Sequence, residues 1–199
     1  MKIDTPKITL ASSSQSRREL LQRLLKFFDQ TSPNIDESQL DNEQPQHYVL
    51  RLARQKALAV QQMGIRGLII ASDQCAVIDD QILGKPGTHR RAVDQLTQCS
   101  GKQVQFLTGL ALLDTESGRI EIECDEVVVR FRELSSREIE RYLLAETPYD
   151  CAGSFKCEGL GIALFDSIES SDPNSLVGLP LIRLNNMLIR FGFNPLLEL

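Results

Sequence analysis

The chain has 199 residues. That is near the size of one domain, and long enough to bury roughly 70% of its unfolded surface without a disulfide or metal staple. Hydrophobic residues at 42% and charged residues at 25% exclude a disordered, collagen-like or coiled-coil chain. A net charge of −5 argues against bulk nucleic-acid binding through a basic face, while leaving room for a phosphate ligand in a local cationic pocket.

Residues 1–7 carry Asp4 and no apolar core, so no signal peptide is expected. A short strand is predicted over 7–12, with Ile8 and Leu10 on one face. A helix follows over 17–28, where Leu20, Leu21, Leu24, Leu25 and Phe28 form one apolar stripe. Ser16 and Glu19 read as its capping box. Residues 29–42 read as polar loop. A second helix is predicted over 45–62, with Pro45 suited to its first turn.

The run Gly67-Leu-Ile-Ile-Ala-Ser72 is continuously apolar, the pattern of a buried strand. A hairpin around Asp79-Asp80 is predicted over 76–83, and a helix over 88–98 with Ala92, Val93 and Leu96 inward. Two long strands over 103–113 and 119–131 meet at a turn near Ser117-Gly118. Ser135 and Glu138 cap a helix that ends near Ala145. A strand is predicted over 161–165, and a last helix over 179–191 that stops at Gly192. Strands alternating with helices, plus an antiparallel segment, imply an α/β fold with a mixed, partly antiparallel sheet flanked by helices.

The five cysteines, Cys75, Cys99, Cys124, Cys151 and Cys157, are odd in number and lack a CxxC pair. That pattern supports neither a disulfide framework nor a zinc site, and suits free thiols in a reducing, cytoplasmic compartment. No apolar run approaches the ~20 residues of a membrane span.

Arg17 and Arg18 open a helix directly after a strand and the turn Ser12-Ser13-Ser14-Gln15-Ser16. Cations there face the positive end of the helix dipole, a mild cost. Backbone N–H groups gather at the same place, and the combination makes an anion trap. The alternative is that both arginines reach solvent or pair with Glu19 and Glu37. Ser72-Asp73-Gln74 closes a buried strand, at the sheet edge where α/β proteins place ligands. Asp73 there is a general base, a metal ligand or a turn residue. Gly84-Lys85-Pro86-Gly87 is a rigid turn presenting one lysine, without Walker A spacing. Asp36-Glu37 either suits Mg²⁺ through one carboxylate and water or is a solvated acidic loop. Over 151–161, Gly153, Gly159 and Gly161 permit close backbone approach to a ligand, while Lys156 and Glu158 offer opposite charges. His47 and His89 stand in unrelated contexts, which excludes HExxH zinc chemistry and a histidine triad on a GxSxG elbow. With no GxGxxG, no nicotinamide cofactor is expected.

In order, the chain carries Leu10-Ala-Ser-Ser-Ser-Gln-Ser-Arg-Arg-Glu-Leu-Leu21, Asp36-Glu37, Arg51-Leu-Ala-Arg-Gln-Lys-Ala57, Ser72-Asp-Gln74, Gly84-Lys-Pro86, Thr108-Gly109 and Val177-Gly-Leu-Pro180. This series resembles the Maf nucleotide pyrophosphatases over nearly the whole chain. The stretch 152–161 and the ending Gly192-Phe-Asn-Pro-Leu196 are similar to the branch that hydrolyses 7-methyl-GTP. The dTTP and UTP branch typically has Gln where this chain has Glu158.

The resemblance implies a single domain over 1–199, of Maf/ITPase-like fold, with two lobes around a nucleotide cleft and often a homodimer. It implies hydrolysis between the α and β phosphates of a small nucleotide, with Mg²⁺ or Mn²⁺, and neither a nucleic-acid nor a membrane partner. It assigns the proton acceptor to Asp73 and substrate specificity to Ser16, Gln74 and Glu158. Ser12, Arg17, Arg18, Lys56 and Lys85 are then the phosphate ligands, with Glu37 next for metal. A carboxylate at Glu158 can accept both donors of a guanine edge, whereas a glutamine suits uracil or thymine. Gln15 stands where the family usually has Pro. Ser16 stands where the 7-methyl-GTP branch usually has an aromatic residue, which leaves the same reaction on UTP, dTTP or GTP as the alternative. An alternative of another class is a nucleotide-binding regulator of septum formation.

Overall fold

The computed structural model describes residues 6–197. Residues 1–5, on which the expectation of no signal peptide largely rests, lie outside the described residues. In chain order the elements are β1 (Ile8–Ala11), α1 (Gln15–Gln22), β2 (Asp29–Thr31), α2 (Pro45–Gln62), β3 (Leu68–Ile78), β4 (Gln81–Leu83) and α3 (His89–Cys99). They continue with β5 (Gln103–Asp114), β6 (Ile120–Phe131), α4 (Ser136–Glu146), β7 (Phe165–Ser170) and α5 (Leu181–Arg190). The strands follow the order β2-β1-β3-β5-β6-β7, with β4 paired to β3. β1 is parallel to β2 and β3, whereas β3–β4 and β6–β7 are antiparallel, so the sheet is mixed as the sequence implies. Among the described residues no helix is long and apolar enough to cross a membrane.

The chain forms two compact units. The first comprises the chain up to Asp73, Thr108–Asp125 and the chain from Asp172 onward. β1, the start of β3 and the 108–113 part of β5 are buried on both faces, which is why Leu68-Ile69-Ile70-Ala71 shows no polar alternation. Ile8, Leu10, Leu68 and Ile70 pack with Leu20 and Leu21 of α1 and with Leu184, Met187 and Leu188 of α5. Ala11, Ile69, Ala71 and Ala111 pack instead with Ala53, Ala57 and Val60 of α2. Gly109 explains how close α2 comes: a Cβ there would collide with the Val49 backbone, so the helix rests directly on the β5 main chain.

The second unit comprises Gln74–Leu107 and Glu126–Ser171. Phe106, Phe131, Phe155 and Phe165 stand edge to face, with centroids 4.9–6.2 Å apart, a favoured aromatic geometry. Leu96 of α3, Ile139 and Leu143 of α4, and Val104, Val127 and Val129 are also buried in this unit.

Several expectations need correction. The first helix covers Gln15–Gln22 rather than 17–28, and its N-cap is Ser14, whose side chain accepts from the Arg17 N–H. Ser16 therefore lies inside the helix, and Glu19 accepts from Gln15 Nε2 at 2.8 Å instead of closing a capping box. Leu24, Leu25 and Phe28 still pack on the core, so the apolar stripe marked burial correctly but continued past the helix end. The polar segment 29–42 contains β2, a three-residue edge strand whose partner is β1. The strand expected to close at Ser72 runs unbroken to Ile78, so Asp73 is neither a turn residue nor at a strand end. Residues 160–164 form a 3-10 turn in place of the strand expected over 161–165, and β7 begins at Phe165. The last helix starts at Leu181.

Candidate active site

In the first unit, α2 presents Ala53, Lys56, Ala57 and Val60 on one face by their i, i+3, i+4, i+7 spacing. Lys56 is thus a cation inside an apolar stripe, and it is 5% exposed. A buried ammonium needs compensation. Its Nζ stands 2.5 Å from Asp73 Oδ1 and 2.7 Å from Glu37 Oε1. Asp73 is 7% exposed and sits mid-strand in β3, while Glu37 reaches in from the loop between β2 and α2. A third charge closes the group. Arg17 is half-buried; burial pushes its guanidinium below the ordinary range, and the carboxylates of Asp73 and Glu37 pull it back. Arg17 Nε donates to the Gly178 carbonyl at 2.8 Å.

The arrangement brings Arg17, Glu37, Lys56 and Asp73 together, and it separates the two arginines. Arg18 Nη1 donates to Gln30 Oε1 at 2.9 Å, and its guanidinium lies 5.9 Å from the Phe28 ring centroid. Gln30 in turn donates to the carbonyls of Ser12 and Ser14. Ser12 is buried, and its Oγ accepts from the Ser14 N–H at 3.1 Å. Arg18 and Ser12 thus shape the turn that starts α1, while Arg17 faces the carboxylates. The mild cost of two cations at a helix N-terminus is offset by these hydrogen bonds.

Ser16 lies in α1 of the first unit, whereas Lys85, Gln74 and Glu158 belong to the second, each with its own local setting. Lys85 is exposed on a turn tied down at both ends: Gln95 Nε2 donates to the Gly84 carbonyl and the Gly87 N–H donates to the Tyr149 carbonyl. Gln74 is half-buried and follows Asp73 in β3. Glu158 is exposed in the 156–161 turn, where the Lys156 carbonyl accepts from the N–H groups of Gly159 and Gly161. Burial and the neighbouring Glu158 push the Cys157 thiol up to about 12. The expected alternative partner of Glu158, Lys156, forms no ion pair with it among the described residues.

The donor set fits a divalent cation such as Mg²⁺. Glu37 and Asp73 already converge on one cationic atom, and Mg²⁺ binds through one or two carboxylates plus phosphate and water. Among the described residues no group of three or more His, Cys, Asp or Glu is placed to hold a metal ion, so phosphate and water oxygens would complete the shell. The chemistry open to this group is the binding of a polyphosphate and the activation of a water beside it.

Two features of the site went unseen in the sequence. One is the Gly178 carbonyl, a main-chain group that holds both Arg17 and Ser72 Oγ. The other is Gln30, whose role depends on β2. Lys56 left a readable trace, a lone charge on the buried stripe of α2.

The chain matches the family model described as "Maf-like protein" over residues 7–191. A protein of Pseudomonas putida named "7-methyl-GTP pyrophosphatase" is 56% identical over 185 residues, covering 93% of this chain and 96% of that protein. Its namesake in Alcanivorax borkumensis is 54% identical over 188 residues, 94% of this chain and 95% of that one. The structure of a HAM1 protein from Coxiella burnetii shares the fold at a TM-score of 0.52 and 15% identity, covering 94% of this chain and 100% of that chain. A family match that spans the strands, helices and cationic group described above leaves one assignment: the chain belongs to the Maf family.

Proposed function

We propose that the chain hydrolyses 7-methyl-GTP to 7-methyl-GMP and pyrophosphate. The observation that carries the reaction is the buried Lys56 ammonium held between Asp73 and Glu37, with Arg17 in their field. The base follows from Glu158 and from the names of relatives more than half identical to this chain.

A triphosphate carries about four negative charges near neutral pH. Arg17, Arg18, Lys56 and Lys85 are the cations assigned to neutralise it and to favour the charge that builds on departing pyrophosphate. The oxygen of a water attacks the α-phosphorus. The bond from that phosphorus to the α–β bridging oxygen breaks, and its electron pair leaves with pyrophosphate. Asp73 takes the proton of the attacking water. A carboxylate is a weak base, so its contribution depends on a water held against it. Glu37 would hold Mg²⁺ or Mn²⁺, which supplies Lewis-acid charge neutralisation when bound. Gln74, Glu158 and Ser16 set the choice of base.

The reading includes the whole chain 1–199 as one functional domain, a homodimer, and a cytoplasmic setting, which suits five free cysteines. The test is pyrophosphate release from 7-methyl-GTP, GTP, UTP and dTTP with Mg²⁺ or Mn²⁺. Wild type is expected to prefer 7-methyl-GTP. Asp73→Ala should lose about 10²-fold or more in kcat. Glu158→Gln should weaken guanine substrates more than uracil ones. Release mainly from UTP or dTTP would overturn the base assignment, and no release from any nucleotide would overturn the reaction.

A further inference from the structure

Ser72, Thr108, Asp125, Asp172 and Ser175 are buried polar residues of the first unit that take no part in the cationic group. Buried polar groups are costly unless partnered, and these find their partners in or around one segment, 172–180. Ser175 Oγ donates to Asp125 Oδ2 at 2.5 Å, and the Ser175 carbonyl accepts from Thr108 Oγ1 at 3.1 Å. The other Asp125 oxygen accepts from Arg183 Nε at 2.5 Å. Asp172 accepts from the N–H of Asn174 at 2.9 Å and from that of Ile182 at 2.6 Å. The segment is therefore fixed to β5 and β6 on one side and to the start of α5 on the other.

What this segment presents is the Gly178 carbonyl. It accepts from Ser72 Oγ and from Arg17 Nε, each at 2.8 Å, which uses both lone pairs of the oxygen. A guanidinium held at Nε has its plane set, and its four Nη–H donors remain for an anion. Gly178 has φ +112°, and a Cβ there would stand 3.2 Å from Arg17 Nε. The left-handed backbone favours glycine, and any larger residue there would push the Arg17 side chain by a few tenths of an ångström.

We infer that segment 172–180, locked by Asp125 and Ser175, is a device that aims Arg17, and that Asp125, Ser175 and Gly178 are positioning residues. The inference rests on the proposed reading of Arg17 as a phosphate ligand. Electrostatic catalysis depends on donors held in place beforehand, so a small displacement of Arg17 lowers transition-state binding more than it lowers stability.

The test combines Ser175→Ala with Arg17→Lys. The Arg17 Nε–H signal in a ¹H–¹⁵N spectrum, assigned by its loss in Arg17→Lys, reports the aim directly. Ser175→Ala is expected to shift that signal and speed its exchange, and to lower kcat/KM on 7-methyl-GTP by about ten- to a hundredfold. In the Arg17→Lys background the same change should leave kcat/KM nearly unaltered while still lowering the thermal midpoint. An unmoved Nε–H signal, or an equal loss of activity in both backgrounds, would overturn the inference and leave Ser175 a purely structural residue. If Ser175→Ala does not fold, Gly178→Ala disturbs the Arg17 contact from the other side and is read the same way. If wild type releases no pyrophosphate the proposed function falls, and the Nε–H signal still decides whether the segment aims Arg17.

Discussion

Lys56 and Asp73 form a buried pair with unequal alternatives. Lys56 keeps Glu37 at 2.7 Å if Asp73 is neutralised, whereas removal of Lys56 takes away the ion-pair partner of a carboxylate that is 7% exposed. Breaking a buried pair by deleting one partner costs about 3–5 kcal/mol. Lys56→Ala is therefore expected to approach that loss in urea denaturation, while Asp73→Asn loses clearly less and still abolishes hydrolysis. Equal losses would mean that Glu37 does not hold the ammonium. Much of this site was legible residue by residue. Asp73, Lys56, Glu37 and Arg17 were all named from motifs, and they meet in one unit. What motifs could not tell was that neighbouring arginines diverge, because Gly178 and Gln30, remote in sequence, pull them apart.

Among the elements, α4 is the clearest agreement between local pattern and structure. Its capping box, Ser135 with Glu138, forms as the spacing predicts. Hydrogen bonds from the Ser135 side chain and backbone, then from Arg132, hold the exposed Glu138 carboxyl down to about 2, against an ordinary 4.5. A depressed carboxylate contributes stability that is complete above its unfolded value and is lost as pH falls through its folded one. The thermal midpoints of wild type and Glu138→Gln should thus differ by no more than a few degrees at neutral pH and converge between pH 4.5 and 2. A difference that persists at pH 2 would show that the carboxylate charge is not what the cap uses. The elements that went unseen are edge strands. β2 reads Asp-Gln-Thr, and β7 is exposed from Asp166 to Ser170. A strand with no buried face carries no alternating apolar signal, and its existence depends on a partner strand.

At the scale of the whole molecule, stability comes from burial on both faces of β1, β3 and β5 in the first unit and from the phenylalanine cluster of the second. All five cysteines are free, and burial pushes Cys99 up to about 12. A thermal midpoint unchanged by reductant is expected. A midpoint that falls when reductant is added would point to a disulfide and overturn the reading of free thiols.

Composition, apolar periodicity and capping signals by themselves determined the α/β class, the span of α2, the β5–β6 hairpin and the start of α4. These are short-range consequences of side-chain spacing, and they hold wherever the chain is placed. The tertiary structure decided that β3 runs through Asp73, that Lys56 is buried against it, and that a main-chain carbonyl at Gly178 holds Arg17. Each depends on groups far apart in the chain. Their energies come from burial and hydrogen-bond partners that exist only once the strands are paired.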